Sequence, residues 1–230
     1  MKIETAIIPC AGYGNRLSPI TLEIPKPLIQ IKNKSLLLNT IELIRNLGIK
    51  KIKLNTYYLS DQIEDYVNKL GNGNKIEVIN DGEEILDTGG GIKNIMNTSL
   101  EENFLVLNPD TLWNLDYKKV ILGMIEYYTQ KKLNNLLMVV NKSKSYDSRF
   151  KGDFSMYNHI LSKNENCNYI YTGCQIINKK IMKSIVDKKF SMSEVWDNLL
   201  KNNNLFGFES DQEFIHLTDI EIYEKLLKNN

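Results

Sequence analysis

The sequence predicts an α/β fold with a mostly parallel central sheet, helices on both faces and a few antiparallel strands. Short apolar runs of strand length alternate with segments in which apolar residues recur at helical spacing. Glycine stands directly after two of the helical segments, where a C-terminal cap belongs. After residue 150 the apolar segments become short and hairpin-like, which indicates antiparallel additions. The sequence contains no repeat and no long linker, so we expect residues 1–230 to form one domain.

The elements of the first half follow in order. Residues 3–8 are predicted to form a strand, because their apolar run leads into a glycine-rich turn. A helix over 35–47 is predicted because apolar residues recur every three or four positions and Gly48 follows. A second helix starts at Ser60, a good N-cap, and ends at Gly71. The remaining predictions in this half are strands at Lys51–Thr56, Lys75–Ile79, Phe104–Asn108 and Leu136–Val140, and a helix over 118–131.

The second half is predicted to begin with short strands and to end in helices. The predicted elements are strands near 153–157, 160–163 and 170–176, helices near 178–186 and 192–201, a strand at Phe214–Leu217 and a terminal helix. Asp219 is a suitable N-cap for that last helix. Ligands of open parallel sheets lie beyond the carboxyl ends of the strands. We therefore expect the functional site at the loops 9–27, 80–92 and 108–116.

Composition excludes several classes of function. The 29 Lys and Arg residues balance 28 Asp and Glu residues, so no basic field predicts binding to nucleic acid or to a membrane surface. The three cysteines lack the spacing of a zinc site or a disulfide framework. No segment approaches the roughly 20 apolar residues that span a bilayer, and no signal peptide is recognisable. The protein is expected to be cytoplasmic, and its oligomeric state stays open.

The most informative segment follows the first predicted strand. Gly12 and Gly14 let backbone N–H groups approach a phosphate without obstruction. Arg16 supplies a guanidinium group that matches phosphate oxygens, and Lys26 lies between two prolines that fix its backbone. A dinucleotide-binding fingerprint fails because Leu17 stands where glycine is required, and no P-loop sequence is present. The segment therefore indicates a local phosphate site of another kind.

The pattern G-x-G-x-R-x-x-P-x-T-x-x-x-P-K-P-L, from Gly12 to Leu28, resembles the signature of the sugar-1-phosphate nucleotidyltransferases. The resemblance implies a Rossmann-like nucleotidyltransferase fold in which residues 1–115 bind the NTP and residues 116–230 bind the sugar phosphate. It implies transfer of a nucleoside monophosphate from an NTP to a sugar 1-phosphate, with release of pyrophosphate. Carried over by position, the nucleotide-binding residues are Ala11, Gly12, Tyr13, Gly14, Arg16 and Lys26. Arg16 would grip the outgoing phosphates and Lys26 would stabilise charge at the α-phosphate, which makes both catalytic.

A carboxylate follows the predicted strand that ends at Asn108. Mg²⁺ needs only one or two protein carboxylates besides phosphate oxygens and water. The resemblance makes Asp110 the catalytic, metal-binding aspartate and Asn108 a nucleotide contact. His216 stands where the family carries a second metal-binding aspartate. Imidazole suits Mn²⁺ better than Mg²⁺, so we expect Mg²⁺, or Mn²⁺ as an alternative, with His216 as a ligand, a hydrogen-bond donor near the metal or a structural residue.

The remaining candidates concern the base and the sugar. Three consecutive glycines at 89–91, ahead of a helix, permit close approach of a base or a sugar, so Gly89 and Gly90 are candidate nucleotide contacts. Glu84 could accept hydrogen bonds from the base. By resemblance, Asp153, Thr172 and Gly173 would contact the sugar phosphate. A further set of cations could bind an acidic sugar, namely Lys142, Lys144 and Arg149.

The glycine run resembles that of the N-acetylmuramate-1-phosphate uridylyltransferases. UTP and N-acetylmuramate 1-phosphate are therefore the first expected substrates. GTP with a mannose- or heptose-1-phosphate is the second expectation. A third reading is a non-catalytic module that binds a nucleotide sugar and lost turnover when His216 replaced an aspartate.

Overall fold

A mixed seven-stranded sheet forms the centre of the protein. We describe it from a computed structural model, which covers residues 3–71 and 75–228. The strands are β1 (Thr5–Pro9), β2 (Gln30–Ile31), β3 (Lys34–Ser35), β4 (Lys51–Thr56), β5 (Lys75–Asn80), β6 (Asn103–Leu107), β7 (Asn135–Asn141), β8 (Ser155–Tyr157), β9 (Ile160–Ser162), β10 (Tyr169–Asn178) and β11 (Gly207–Ser210). The central sheet has the order β11-β7-β10-β6-β1-β4-β5, and only β10 runs antiparallel to its neighbours. The predicted fold class is confirmed.

Helices cover both faces of this sheet. Among the described residues the α-helices are α1 (Ile20–Glu23), α2 (Leu36–Asn46), α3 (Ser60–Lys69), α4 (Asp87–Asn97), α5 (Tyr117–Gln130), α6 (Met192–Leu200) and α7 (Ile220–Lys228). Side chains of α2, α3 and α5 join Ala6 and Ile8 of β1 in one buried core. Side chains of α4 and α6 join Ile7 in a second core. Alternate residues of β1 thus face opposite layers, as a strand buried on both sides requires.

Local signals explain most of the helix ends. Gly48 and Gly71 have positive φ angles (77° and 73°) after α2 and α3, as the sequence predicts. The carboxylate of Asp219 accepts a hydrogen bond from the backbone N–H of Ile222 (3.1 Å), which confirms it as the N-cap of α7. Ser60 is the first helical residue rather than the cap, because Leu59 takes the cap position in the left-handed region (φ 49°).

The second half departs from prediction at three places. The helix expected over 178–186 is only a short 3-10 turn, Lys179–Met182, because β10 continues to Asn178, whose side chain caps the turn. The strand expected at Phe214–Leu217 is absent from the described sheets; two isolated bridges hold that segment, one of them between His216 and Thr111. Strand β11 is missing from the prediction. None of the described helices is long and apolar enough to cross a membrane.

Candidate active site

A cleft of about 300 Å³ opens beyond the carboxyl ends of β1, β4, β5 and β6. All three loops singled out from the sequence contribute to its wall. The predicted site residues that line it are Ala11, Gly12, Gly14, Arg16, Lys26, Asn108 and Asp110. Parallel strands bring these loops together, although Lys26 and Asp110 are 84 positions apart along the chain.

The glycine-rich loop is shaped by its contact with the proline-flanked lysine. Gly14 has a φ of 68°, and a Cβ atom there would lie 2.9 Å from the Thr21 side chain and 3.1 Å from Cβ of Lys26. A larger residue would therefore be strained and would displace the lysine. Pro25 is extended and starts a 3-10 turn over Lys26–Leu28, closed by a hydrogen bond from Leu28 N–H to the Pro25 carbonyl (2.8 Å). The backbone that carries Lys26 is thus fixed on both sides.

Three titratable side chains meet at the base of the cleft. The Lys26 ammonium donates to Oδ2 of Asp110 at 2.7 Å, and Nε2 of His216 lies 3.2 Å from the same oxygen. These side chains are mostly buried, with 14% of Lys26, 21% of Asp110 and 17% of His216 exposed. Burial alone would raise the pKa of Asp110, but the Lys26 ammonium and the His216 imidazole hold that pKa well below its usual range. Asp110 is therefore ionised at neutral pH.

The other oxygen of Asp110 indicates what this cluster can bind. Oδ1 is buried and has no hydrogen-bond partner among the described residues. An orphaned carboxylate oxygen is costly, and a divalent cation would satisfy it. No group of three His, Cys, Asp or Glu side chains in the described part of the chain could hold a metal alone. Asp110 and His216 fit a cation that takes its remaining ligands from phosphate oxygens and water, as Mg²⁺ does in phosphate sites.

Arg16 differs from Lys26 in having no partner among the residues that the structure describes. Its side chain is exposed, lines the cleft and makes no hydrogen bond or ion pair with the described residues. A guanidinium group held free at a glycine-rich loop is available to phosphate oxygens. Tyr13, predicted as a nucleotide contact, does not line the cleft. Its ring packs instead against Tyr57 and Tyr58 (centroid distances of 6.0 and 5.2 Å).

The glycine run at 89–91 does not precede the helix as predicted; it lies inside the first turns of α4. The backbone N–H groups of Gly89 and Gly90 donate to the carbonyl oxygen of Phe190 (3.0 and 3.1 Å). A Cβ atom on Gly90 would lie 2.1 Å from the carbonyl oxygen of Lys188. We call residues 188–192 the strap, since they cross α4 at this point. These glycines admit the strap, and neither of them lines the cleft; contact with a nucleotide stays a prediction.

The cleft wall also contains residues that the sequence reasoning passed over. Glu84 is exposed and does not line the cleft, whereas Asp87 and Thr88 do. Asp87 adopts a φ of 61° and accepts a hydrogen bond from Thr88 N–H (2.5 Å). Asn55, at the end of β4, accepts from the backbone N–H of Cys10 at 2.9 Å. The local sequence gives no signal for Asn55, because polar and apolar residues alternate along β4 and Asn55 falls on a polar position.

The predicted sugar-phosphate contacts Thr172 and Gly173 lie at an irregularity of β10. The strand register shifts between Tyr171 and Gln175, and Gly173 in this bulge has a φ of 88°. The Thr172 side chain is buried and donates to the Met138 carbonyl, and the Gly173 carbonyl accepts from Asn108 N–H (2.8 Å). The Thr172 side chain thus ties β10 to β7, while the Thr172 carbonyl, which accepts from the Thr111 hydroxyl (2.7 Å), and the Gly173 carbonyl hold β10 against the loop of Asp110. Their contact with a sugar phosphate stays a prediction.

The side chains of Asp153 and Tyr171 lie next to this bulge. The exposed carboxylate of Asp153 accepts a hydrogen bond from Tyr171 N–H at 2.8 Å. The Tyr171 hydroxyl is buried without a partner among the described residues, and its ring packs edge-on against Trp196 (4.7 Å between centroids). Burial, with Cys174 and Asp110 nearby, raises the pKa of Tyr171 well above its usual range. A neutral hydroxyl with unused hydrogen-bonding capacity therefore lies within electrostatic reach of Asp110.

The cations proposed for an acidic sugar do not form a free cluster. Arg149 makes ion pairs with Asp147, Asp219 and Glu221 at 2.7–2.9 Å. The Lys144 ammonium donates to the carbonyl oxygen of Asp211 (2.5 Å). Arg149 is therefore committed to carboxylates of the protein itself. The three cysteines are unpaired thiols, and burial raises the pKa of both Cys10 and Cys174.

The structure is that of an α/β protein with a cleft at the carboxyl edge of its sheet, and an arginine and a lysine line this cleft. The family described as nucleotidyl transferase matches residues 5–150, which is more than half of the chain. The chain therefore belongs to the nucleotidyl transferase family, which confirms the resemblance on which the site residues were predicted.

Individual relatives and structures agree with this placement. The chain is 29% identical, over 97% of its length and 96% of the relative's, to D-glycero-α-D-manno-heptose 1-phosphate guanylyltransferase of Aneurinibacillus thermoaerophilus. It is 22% identical, over 94% of its length and 92% of the relative's, to N-acetylmuramate α-1-phosphate uridylyltransferase of Caulobacter vibrioides. A crystal structure of HddC from Yersinia pseudotuberculosis complexed with GMP-PN superposes with a TM-score of 0.77 and 28% identity over 99% of both chains.

Proposed function

We propose that this enzyme transfers a guanylyl group from GTP to the 1-phosphate of a heptose- or mannose-type sugar, forming a GDP-sugar and pyrophosphate. One observation supports the reaction class above all others. Arg16, Lys26 and Asp110 line a single cleft, and one buried oxygen of Asp110 lacks a partner. In this proposal residues 1–115 bind the NTP and residues 116–230 bind the sugar phosphate. All the residues named above as lining the 300 Å³ cleft lie within residues 1–115.

The reaction needs positioning and charge stabilisation more than a base. An oxygen of the sugar phosphate forms a bond to the α-phosphorus of the NTP, and the bond from that phosphorus to the pyrophosphate oxygen breaks. The attacking phosphate is already an anion at neutral pH, so no proton has to be removed. Lys26 would stabilise charge at the α-phosphate and Arg16 would hold the departing phosphates. A divalent cation held by Asp110, with His216 beside it, would neutralise further phosphate charge.

Guanine is favoured over uracil by one carboxylate at the far end of the cleft. Oδ1 of Asp87 accepts from Thr88 N–H, which leaves Oδ2 without a partner in the described part of the chain. Guanine carries two adjacent donors, N1–H and N2–H, which match a carboxylate, whereas the single N3–H of uracil lies between two acceptors that a carboxylate repels. The relatives that support this base are the heptose 1-phosphate guanylyltransferase and the structure bound to GMP-PN.

The side chains near the predicted sugar-binding residues suit a neutral sugar. The Tyr171 hydroxyl has no partner among the described residues, the half-buried Trp196 ring packs beside it, and neither group brings a positive charge to this side. Arg149, one of the three cations predicted for an acidic sugar, is already paired with three carboxylates. This arrangement favours a heptose or mannose over N-acetylmuramate.

UTP with N-acetylmuramate 1-phosphate, the first expectation from the sequence, is the second candidate. It is supported by the glycine run and by the Caulobacter vibrioides relative at 22% identity. The glycine run carries less weight than the sequence suggests, because Gly89 and Gly90 contact the strap rather than the cleft.

The test is pyrophosphate release measured across GTP, UTP, CTP, dTTP and ATP, each with the 1-phosphates of heptose, mannose, glucose and N-acetylmuramate. We expect GTP with heptose or mannose 1-phosphate to give the highest kcat/KM. Asp87→Asn should lower kcat/KM for GTP about 10- to 100-fold, as the loss of a bidentate contact would. Asp61→Asn, in the first turn of α3, is the matched control and should have no effect. Faster turnover with UTP would refute the assignment of the base.

A further inference from the structure

The side-chain amide of Asn55 joins the glycine-rich loop to Asp81. Asn55 is only 2% exposed and lies beside Pro9 in the register of β1 with β4. Its Oδ1 accepts a hydrogen bond from the backbone N–H of Cys10 at 2.9 Å. Its Nδ2 donates to Oδ2 of Asp81 at 2.7 Å. One buried amide therefore connects the start of the loop to a carboxylate that follows β5.

The contact with Cys10 determines which way this amide faces. A backbone N–H can only donate, so the oxygen of the Asn55 amide must face it. The NH₂ group of the same amide then faces Asp81 and needs an acceptor there. Asn94 in α4 donates to the other oxygen of Asp81 at 3.1 Å, so each oxygen of the carboxylate accepts from an amide. Asp81 thus supports the orientation in which Asn55 accepts from Cys10.

Both the backbone of Asp81 and the space around the pair are fixed. The Asp81 N–H donates to the Thr56 carbonyl (2.9 Å), which continues the ladder between β4 and β5. A Cβ atom on Gly91 would lie 2.4 Å from Nδ2 of Asn55 and 3.4 Å from Oδ2 of Asp81. Gly91 therefore makes room for the amide, whereas the other two glycines of the run make room for the strap.

We propose that Asp81 is a positioning residue of the nucleotide site: by holding the Asn55 amide, it keeps the backbone of the glycine-rich loop in the shape that binds phosphate. The inference rests on the proposed function in taking this loop as the phosphate site. Asp81 does not line the cleft, whereas Asn55 does, so Asp81 acts through Asn55. The competing role for Asp81 is purely structural, and it would leave the loop and its ligand affinity unchanged.

The first measurement is hydrogen exchange of the Cys10 amide, followed by NMR in the nucleotide-free protein. In Asp81→Asn the new amide can donate as well as accept, so the Asn55 amide can turn over and leave the Cys10 N–H without its acceptor. We expect exchange about 5- to 10-fold faster than in the wild type, the equivalent of one lost hydrogen bond. Gly91→Ala should have the same effect by pushing the Asn55 amide aside. Asp61→Asn in α3 is the control and should leave exchange unchanged.

Exchanging the two side chains provides a rescue. The double variant Asn55→Asp/Asp81→Asn keeps one carboxylate and one amide, with the same net charge. The carboxylate at position 55 can accept from both the Cys10 N–H and the amide at position 81. Exchange of the Cys10 amide should therefore return close to the wild-type rate. A double variant that exchanges as fast as Asp81→Asn alone would overturn the proposal.

Nucleotide binding separates positioning from simple charge. Removing a negative charge near the cleft would by itself strengthen the binding of an anion. We expect the opposite: calorimetry should show GTP, or UTP if the substrate panel selects it, binding about 5- to 10-fold more weakly to Asp81→Asn, with the KM for the sugar 1-phosphate unchanged. Unchanged or tighter nucleotide binding would contradict the inference.

The exchange measurement also separates this inference from the proposed function, because it uses no substrate. Unchanged Cys10 exchange in Asp81→Asn would refute the positioning role by itself. A wild type that turned over no pair of the substrate panel would instead refute the proposed function.

Discussion

Replacing Gly90 by alanine tests how the strap is packed on α4. A Cβ atom at this position would lie 2.1 Å from the backbone carbonyl oxygen of Lys188 and 3.0 Å from Cβ of Leu86. The obstructing atom belongs to the backbone, so no side-chain rotation can relieve the overlap. The Lys188 carbonyl would have to retreat by about 1 Å to reach ordinary contact. That movement would also stretch the hydrogen bonds from Gly89 and Gly90 to Phe190 (3.0 and 3.1 Å).

The expected loss of stability follows from opposing contributions. Overpacking a tight contact costs about 1–3 kcal/mol, and two weakened backbone hydrogen bonds cost about 1 kcal/mol each at most. Alanine in a helix interior is favoured over glycine by about 1 kcal/mol. We therefore expect Gly90→Ala to lower the free energy of unfolding by about 2 kcal/mol. The strap also donates from Met192 N–H to Thr88 at 2.9 Å, so activity should fall as well.

Gly123→Ala provides the matched control. Gly123 lies inside α5, and a Cβ atom there would meet only Cζ of Phe208 at an ordinary 3.5 Å. The same substitution should therefore raise stability by up to about 1 kcal/mol. For a protein of this size, 1 kcal/mol corresponds to roughly 2–4 °C in Tm. Thermal unfolding should thus separate the two variants by roughly 6–12 °C. Equal Tm values would show that the strap does not press on Gly90.

Three other substitutions probe the charged cluster. Lys26→Met should cost about 3 kcal/mol at neutral pH by leaving Asp110 without its main counter-charge. Because the native pKa of Asp110 lies below its unfolded value near 4, this stability is fully present above about pH 4 and is lost as pH falls through the native pKa. In urea unfolding at several pH values, a wild-type advantage that vanished already near pH 6 would contradict the assignment. Arg16→Gln should leave Tm unchanged, since no described residue pairs with it, yet reduce kcat/KM on the order of 100-fold; normal activity would exclude Arg16 from the site. Asp110→Asn should reduce turnover at least 100-fold without weakening metal-free NTP binding measured by calorimetry, because it frees Lys26; weaker binding would refute this account of the pair.

Local sequence signals were sufficient for most strands of the central sheet and for the loops that carry the cluster of Lys26, Asp110 and His216. Lys51–Thr56 is predicted with the bounds that the structure shows, because an alternating run between two helices has few other solutions. Lys26 and Asp110 could be placed together from sequence because both follow strands whose carboxyl ends share one edge of the sheet. Strand β11 escaped prediction because Gly207–Ser210 has only one large apolar residue. Its pairing with β7 is a tertiary effect.

The features that sequence reasoning misplaced depend on contacts far along the chain. Three glycines in a row indicate a loop by local rules, yet they lie in α4 because the strap, about 100 residues later, needs room against that helix. The bulge in β10 determines where the Tyr171 hydroxyl lies. The bulge in turn depends on the pairing of β10 with β6 on one side and β7 on the other. Arg149 is predicted as a free cation because the three carboxylates that bind it cannot be placed from its own segment.

The charge arrangement of the cleft explains why one lysine must serve two partners. A nucleoside triphosphate brings about four negative charges, and Arg16 is the only cleft cation that no described residue neutralises. The Lys26 ammonium already forms an ion pair with Asp110 at 2.7 Å. If an NTP binds in the cleft, we therefore expect the Lys26 ammonium to contact the phosphates together with Asp110 or in place of it. If Lys26 turns to the phosphates, the ionised Asp110 carboxylate needs another positive partner. Oδ1 of Asp110, which has no hydrogen-bond partner among the described residues, is available to such a partner, so we expect Lys26 and a bound cation to compete for the same carboxylate.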